Sequence, residues 1–229
     1  MRKAYCHAII VAGGTGNRFG SLIPKQFLQL RGKPIIDWSI ATFSQLTEIN
    51  SLIVVSHPDW QKKTTEVLAP YRKSFREIKV VEGGNSRQQS VYNGISAVNG
   101  NDHDVVLIHD SARPLISVEC IKRVINATIL TGAAIPATDI SDSIVSIDSG
   151  IVIEYPDREN IKAVQTPQGF LLKKIITAHL SAPPENKATD DGSLMLNTGY
   201  PVAVVKGETS NIKITTKEDL LRAEFFLNH

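Results

Sequence analysis

Ile9-Ile10-Val11-Ala12-Gly13-Gly14-Thr15-Gly16-Asn17-Arg18-Phe19-Gly20, followed by Pro24-Lys25-Gln26, is an apolar strand that runs into a glycine-rich turn carrying two spaced cations. Glycines at 13, 14 and 16 allow positive φ and bring backbone N–H groups close to phosphate oxygens, while Arg18 and Lys25 can add charge-assisted bonds. The spacing excludes two common phosphate binders. A dinucleotide fingerprint needs a third glycine where Phe19 stands, and a Walker loop needs Gly-Lys-Ser/Thr where Gly20-Ser21-Leu22 stands. A turn that merely tolerates glycine is the plainer reading, but glycines this dense weaken a fold unless the backbone uses them.

Outward from that strand, short apolar runs alternate with longer helical patterns, the signature of an α/β fold with a doubly wound, mostly parallel sheet. Strands are expected at 8–12, 52–56, 79–81, 105–109, 133–137 and 203–206, and helices at about 35–45, 59–75, 87–98, 118–130 and 217–228. Ser86 and Thr216 precede two of these helices as N-caps, and Thr216 has Asp219 three residues on. In such a sheet ligands bind beyond the carboxyl ends of the strands, so motifs that follow strands should converge there. One segment breaks the alternation. Ile144 to Ile147, then Asp148-Ser149-Gly150, then Ile151 to Ile153 reads as a β-hairpin arm, at about 138–163, inserted in a single domain spanning 1–229. A lone hairpin is marginal, so it packs either on a partner subunit or on its own domain. Ser181-Ala182-Pro183-Pro184 is the nearest thing to a linker.

Three further motifs follow strands. Glu82-Gly83-Gly84-Asn85-Ser86-Arg87-Gln88-Gln89-Ser90 opens a helix, and Asn85 and Ser90 offer short polar contacts suited to a base edge. His109-Asp110-Ser111-Ala112-Arg113-Pro114 ends a strand. There Asp110 could orient a ribose, a metal or a substrate hydroxyl, Arg113 could simply pair with it, and His109 reads as a structural neighbour and not a general base. Lys213, within Ser210-Asn211-Ile212-Lys213-Ile214-Thr215-Thr216, follows the last strand and is a candidate phosphate ligand.

Composition bounds the partners. Over 229 residues, 25 Lys and Arg nearly balance 23 Asp and Glu for a net charge of +2, which offers no broad basic face to a nucleic acid polymer. Cys6 and Cys120 lie in apolar stretches without metal or disulfide spacing, as reduced thiols of a cytoplasmic protein would. The N-terminal apolar run is too short for a signal peptide or a membrane span.

Together the motifs resemble the 2-C-methyl-D-erythritol 4-phosphate cytidylyltransferases, with the ribitol 5-phosphate cytidylyltransferases as cousins. The resemblance covers essentially the whole chain. It rests on the glycine-rich loop with Arg18, Pro24-Lys25-Gln26-Phe27, Gly83-Gly84 with Arg87-Gln88 and Ser90-Val91, His109 to Pro114, Gln165-Thr166-Pro167-Gln168, Ala188-Thr189-Asp190-Asp191 and Asn211-Ile212-Lys213. It implies a Rossmann-like nucleotidyltransferase fold with a projecting arm, and transfer of a cytidylyl group from CTP to a sugar-alcohol phosphate with a divalent metal, usually Mg²⁺. It also implies Arg18, Lys25 and Lys213 as catalytic cations. The nucleotide would lie against Ala12, Gly13, Gly14, Thr15, Gly16, Gly84, Asn85, Ser90 and Ser111. Asp110, Arg113, Ser143, Arg158, Thr166, Thr189 and Lys213 would hold the acceptor, with Asp110 also the candidate metal ligand. A homodimer through the arm would place Ser143, Arg158 and Thr166 in the neighbour's site. Asn85 stands where some members carry Asp, Ser143 where Thr is usual, and Ser111 where the methylerythritol enzymes mostly carry Ala and the ribitol enzymes more often Ser. Two alternatives stay open: a ribitol 5-phosphate cytidylyltransferase, and a non-catalytic nucleotide-binding protein that keeps the fold. An intact set of cations aimed at a transition state argues against the second.

Overall fold

The computed structural model describes residues 5–14, 23–182 and 188–228. Its first half alternates as expected: β1 (Cys6–Ala12), a small ribbon of β2 (Gln29–Leu30) and β3 (Lys33–Pro34), α1 (Ile35–Phe43), β4 (Ile49–Ser56), α2 (Gln61–Leu68), β5 (Glu77–Glu82), α3 (Arg87–Ser96), β6 (Val105–Asp110), α4 (Val118–Thr131) and β7 (Ala133–Asp139). Then come β8 (Ser146–Asp148), β9 (Ile151–Glu154), β10 (Lys162–Val164), β11 (Gln168–Leu171), α5 (Leu172–Ser181), α6 (Asp191–Asn197), β12 (Ala203–Lys206) and α7 (Lys217–Phe226).

The sheet runs β5-β4-β1-β6-β11-β7, with β10 and β12 also paired to β7. β5, β4, β1 and β6 are mutually parallel, as are β7 and β12, whereas β10 and β11 run antiparallel to their neighbours. Chain order reverses at β1, which has β4 on one side and β6 on the other. The crevice for a ligand is therefore at the carboxyl ends of β1 and β6.

Pleat alternation builds the two layers. Ala8, Ile10, Leu52, Val54 and Leu107 face α1 and α4, packing with Ile36, Ile40, Phe43, Ile121 and Val124. Ile9, Ile53, Val55, Val106 and Ile108 face α3, α5 and α6, packing with Val91, Ile95, Ile175 and Met195. The central strands are buried on both faces, which is why they read as unbroken Ile/Val/Leu runs. Gly94 lets α3 lie flat: a Cβ there would stand 2.7 Å from Ile9 Cγ2 and 2.9 Å from Val55 Cγ2.

Several expectations need correction. The single helix expected at 59–75 is only α2, with 3-10 turns at Pro58–Trp60 and Ala69–Tyr71 on either side, the second entered through Pro70 near its start. β11, α5 and α6 were not anticipated. The expected N-caps hold: Ser86 accepts from the Gln89 N–H, and Thr216 and Asp219 form a capping box. The arm is a two-residue hairpin in which Ser149 and Gly150 take φ of 48° and 82°, as a type I′ turn requires. It does not pack on its own domain, since Ile147, Ile151, Ile153 and Tyr155 are 63–73% exposed. Cys6 and Cys120 are buried free thiols, pushed up by burial to about 12 and about 11. No helix among the described residues is long and apolar enough to cross a membrane. The expected linker lies partly outside the described residues.

Candidate active site

Four of the sequence motifs meet at the switch point. A crevice of about 460 Å³ opens there, lined by Gly13 and Gly14 after β1, by Gly84, Asn85, Arg87 and Ser90 after β5, by Asp110 and Ser111 at the end of β6, and by Lys25 and Lys213. Thr15, Gly16 and Arg18 lie outside the described residues.

The nucleotide-facing wall is built from small residues tied by hydrogen bonds. Gln26, 2% exposed, donates from Nε2 to the Ala12 carbonyl at 2.7 Å and to that of Gly14 at 3.3 Å, fixing where the glycine turn leaves β1. Across the crevice the Ser90 hydroxyl accepts the Gly84 N–H at 3.0 Å and donates to the Ser86 carbonyl at 2.9 Å, so the Gly83-Gly84 turn is folded back over the start of α3. Gly84 must be glycine in this turn because a Cβ would collide with the Gln89 side chain. Ala12 is buried behind the wall.

The charged wall centres on Asp110. Its Oδ2 accepts Lys213 Nζ at 2.7 Å, and its Oδ1 faces Arg87 Nε and Nη2, both at 3.4 Å. Burial opposes its ionisation, but Arg87 and Lys213 overcome that and hold the carboxyl well below the usual range. Lys25 donates to the Ile214 carbonyl at 3.0 Å, which anchors its ammonium beside the Lys213 segment. Asn211 is the buried hinge of that segment, donating from Nδ2 to the Thr166 carbonyl at 2.8 Å.

His109 serves structure. It is fully buried, its Nε2 meets the Arg113 carbonyl at 3.0 Å, and its Nδ1 meets Thr166 Oγ1 at 3.0 Å. Burial pushes its pKa down to about 4, so it is neutral and cannot collect a proton at neutral pH.

The remaining predicted acceptor residues are placed differently. Thr166 stands behind Asp110, its Oγ1 accepting the Asp110 N–H at 3.1 Å. Thr189 lines a small recess adjoining the crevice, together with Arg87 and Asp191. Arg113 is not part of the crevice wall and does not pair with Asp110. Its guanidinium donates to the carbonyls of Asn211 at 2.8 Å and Val164 at 3.4 Å, stapling the Lys213 segment to the strand that returns from the arm. Ser143 and Arg158 sit on the exposed arm, where Arg158 donates to the Ser141 carbonyl at 3.0 Å, and neither lines this chain's crevice.

A sequence profile of the 2-C-methyl-D-erythritol 4-phosphate cytidylyltransferases (IspD) matches residues 6–229. The chain belongs to this family. Family proteins of that name from Geobacillus kaustophilus and Caldanaerobacter subterraneus are 39% and 40% identical to it, over 96% of this chain and 96% and 97% of theirs. The crystal structure of 4-diphosphocytidyl-2C-methyl-D-erythritol synthase from Anaerococcus prevotii superposes with a TM-score of 0.86 at 32% identity, covering 99% of this chain and 100% of that one.

Within this cytidylyltransferase, the crevice also uses residues to which the sequence alone assigns no site role, among them Gln26, His57 just after β4, and Ser86 and Arg87 at the start of α3. A signal existed for Arg87: a cation at the first position of a helix opposes the helix dipole, so its place there asks for a nearby anion. Two anions, Asp110 and Asp191, supply it.

Proposed function

We propose that this crevice transfers the cytidylyl group of CTP to 2-C-methyl-D-erythritol 4-phosphate, releasing pyrophosphate, with each wall holding one substrate. The observation that carries this reading is the meeting of two glycine turns with Lys25, Arg87, Lys213 and Asp110 in one crevice. The Gly13-Gly14 and Gly84-Asn85 turns, with Ser90 and Ser111, take the nucleotide. Asp110, Lys213 and Thr189 take the acceptor. An oxygen of the acceptor phosphate attacks the α-phosphorus; the new P–O bond forms as the bond to the β-phosphate bridging oxygen breaks, and its electron pair leaves with pyrophosphate. The attacking oxygen is already ionised, so no general base is needed, in keeping with a neutral, sequestered His109. Charge grows on the equatorial and leaving oxygens, where Lys25, Lys213 and Arg18 are the stabilising cations.

The donor set of the crevice fits Mg²⁺ held chiefly by the substrate's phosphates. Among the described residues Asp110 is the only carboxylate lining the crevice, and no group of three His, Cys, Asp or Glu could form a protein cage. When bound, Mg²⁺ supplies charge neutralisation on the triphosphate. We assign the cytoplasm as the compartment, which the two unpaired buried thiols support.

The functional unit of this reading is a homodimer through the arm. The exposed apolar side chains of β8 and β9 support it, as does the position of Ser143 and Arg158 outside their own chain's crevice. Mixing Lys213→Ala subunits with Arg158→Ala subunits tests it. Heterodimers should regain activity because one of their two sites is intact, whereas no rescue in demonstrated heterodimers would mean that each site is complete within one chain.

A further inference from the structure

Arg87 is shared between two carboxylates. Its Nη2 lies 2.9 Å from Asp191 Oδ2 but 3.4 Å from Asp110 Oδ1, and its Nε is also 3.4 Å from that Asp110 oxygen. With Lys213 on the other Asp110 oxygen, the four side chains form an alternating row of anion, cation, anion, cation. The ordinary charge-assisted contact of the guanidinium is therefore with Asp191, and its contacts with Asp110 are long.

Asp191 is an expensive residue in this place. Its side chain is 2% exposed, and Arg87 is its only salt-bridge partner among the described residues. Burial raises its pKa even against the pull of Arg87. Burying a carboxylate for stability alone is poorly rewarded, since apolar packing of similar volume often does as well. Its position is nonetheless rigidly specified. Gln168, 1% exposed, donates from Nε2 to Asp190 Oδ2 at 2.7 Å and accepts the Gly192 N–H at 2.9 Å, clamping the residues on both sides of Asp191. Asp190 completes a capping box with Ser193. Gln168 is also two residues beyond Thr166, whose hydroxyl takes the Asp110 N–H, so one short segment sets the backbone positions of both carboxylates.

We infer that Asp191 is a positioning residue for acceptor binding: it draws the Arg87 guanidinium away from Asp110 and so keeps Asp110 Oδ1 available to the acceptor. Without that pull, Arg87 closes on Asp110 to a bidentate separation of about 2.8 Å, covering the oxygen that must receive a substrate hydroxyl. Asp191 touches no substrate; it acts only through Arg87. This role rests on the acceptor assignment of Asp110 made above.

The test is steady-state pyrophosphate release with CTP and 2-C-methyl-D-erythritol 4-phosphate, run on the wild type alongside its variants. Asp191→Asn should raise the acceptor KM about tenfold while the KM for CTP stays within twofold, and Asp191→Glu, which can still reach Arg87, should recover most of the loss. In an Arg87→Gln background Asp191→Asn should have no further effect on the acceptor KM, because its only route of action is gone. Should Asp191→Asn not fold, the smaller Asp191→Ser, which likewise removes the pull on Arg87, should show the same KM split. An active wild type whose acceptor KM is unmoved by these changes, or whose two KM values rise together, would overturn the role of Asp191. A wild type that binds CTP but is inactive would overturn the functional reading itself, and this role with it.

Discussion

Replacing Ser90 by alanine removes the side chain that holds the Gly84 N–H of the Gly83-Gly84 turn onto α3, and its cost can be followed from the geometry. The hydroxyl is 4% exposed, accepts the Gly84 N–H at 3.0 Å and donates to the Ser86 carbonyl at 2.9 Å. It also fills the gap between the two glycine turns, since Cβ atoms built on Gly13 and Gly83 would meet it at 3.4 and 3.3 Å. A buried donor left without an acceptor costs about 1–3 kcal/mol, and the Gly84 N–H, half-buried at the crevice edge, falls at the lower end of that range. The Ser86 carbonyl keeps a partner, the Ser90 N–H at 3.0 Å, so the penalty falls on the Gly84 turn and not on the helix. The turn escapes it by opening toward water, which lowers the fraction of molecules ready to bind nucleotide by the same free energy. Apparent CTP affinity should then fall about 5- to 10-fold. Titration calorimetry of CTP against wild type and Ser90→Ala, with circular dichroism to check the fold, measures this directly. A correctly folded variant that binds CTP within twofold of wild type would refute the claim that Ser90 builds the nucleotide wall.

Other consequences are open to direct measurement. Lys25→Ala should lower kcat about 10²-fold or more with the fold intact, as loss of a transition-state donor does; near-normal turnover would remove Lys25 from the catalytic set. Acidification should destabilise the protein through His109. Unfolded histidine takes up a proton near 6.5 but folded His109 only near 4, so stability falls as pH drops through that window, by about 2 kcal/mol for this residue between pH 7 and 5. Denaturant unfolding at the two pH values checks it, and equal midpoints would contradict a neutral buried His109. Ile151→Glu, at a site 69% exposed in the single chain, should convert dimer to monomer in sedimentation and lower activity; a dimer that persists would move the interface elsewhere.

The first half of the fold is legible because its physics is local. β1, β4 and β6 are buried on both faces and announce themselves as apolar runs, and Gly132, at φ 90°, stops α4 where its pattern ends. The second half obeys longer-range constraints. β11 has only four residues, Gln168–Leu171, and Gly169 is needed because a larger residue would strike Thr128 and Val124 of α4, a contact that no local pattern reveals. α6 has seven residues with a glycine at its second position, too short for a helical period to stand out. The same division runs through the site. Gly13, Gly84 and Asp110 each end a strand or open the segment after one, and Ser90 and Lys213 follow within eight residues of one, so topology brings them to the same sheet edge. Arg87 is oriented by its contacts with Asp191, 104 positions away, and with Asp110, and Arg113 is drawn out of the crevice wall by the carbonyls of Asn211 and Val164. Those are tertiary contacts, and spacing along the chain does not encode them.

The central claim is that this crevice joins CTP to 2-C-methyl-D-erythritol 4-phosphate. Pyrophosphate release by the purified protein with CTP and Mg²⁺, comparing that acceptor with D-ribitol 5-phosphate, tests it most directly. The account predicts a kcat/KM at least a hundredfold higher for the methylerythritol acceptor, whereas preference for ribitol 5-phosphate, or no release with either from a protein that binds CTP, would contradict it.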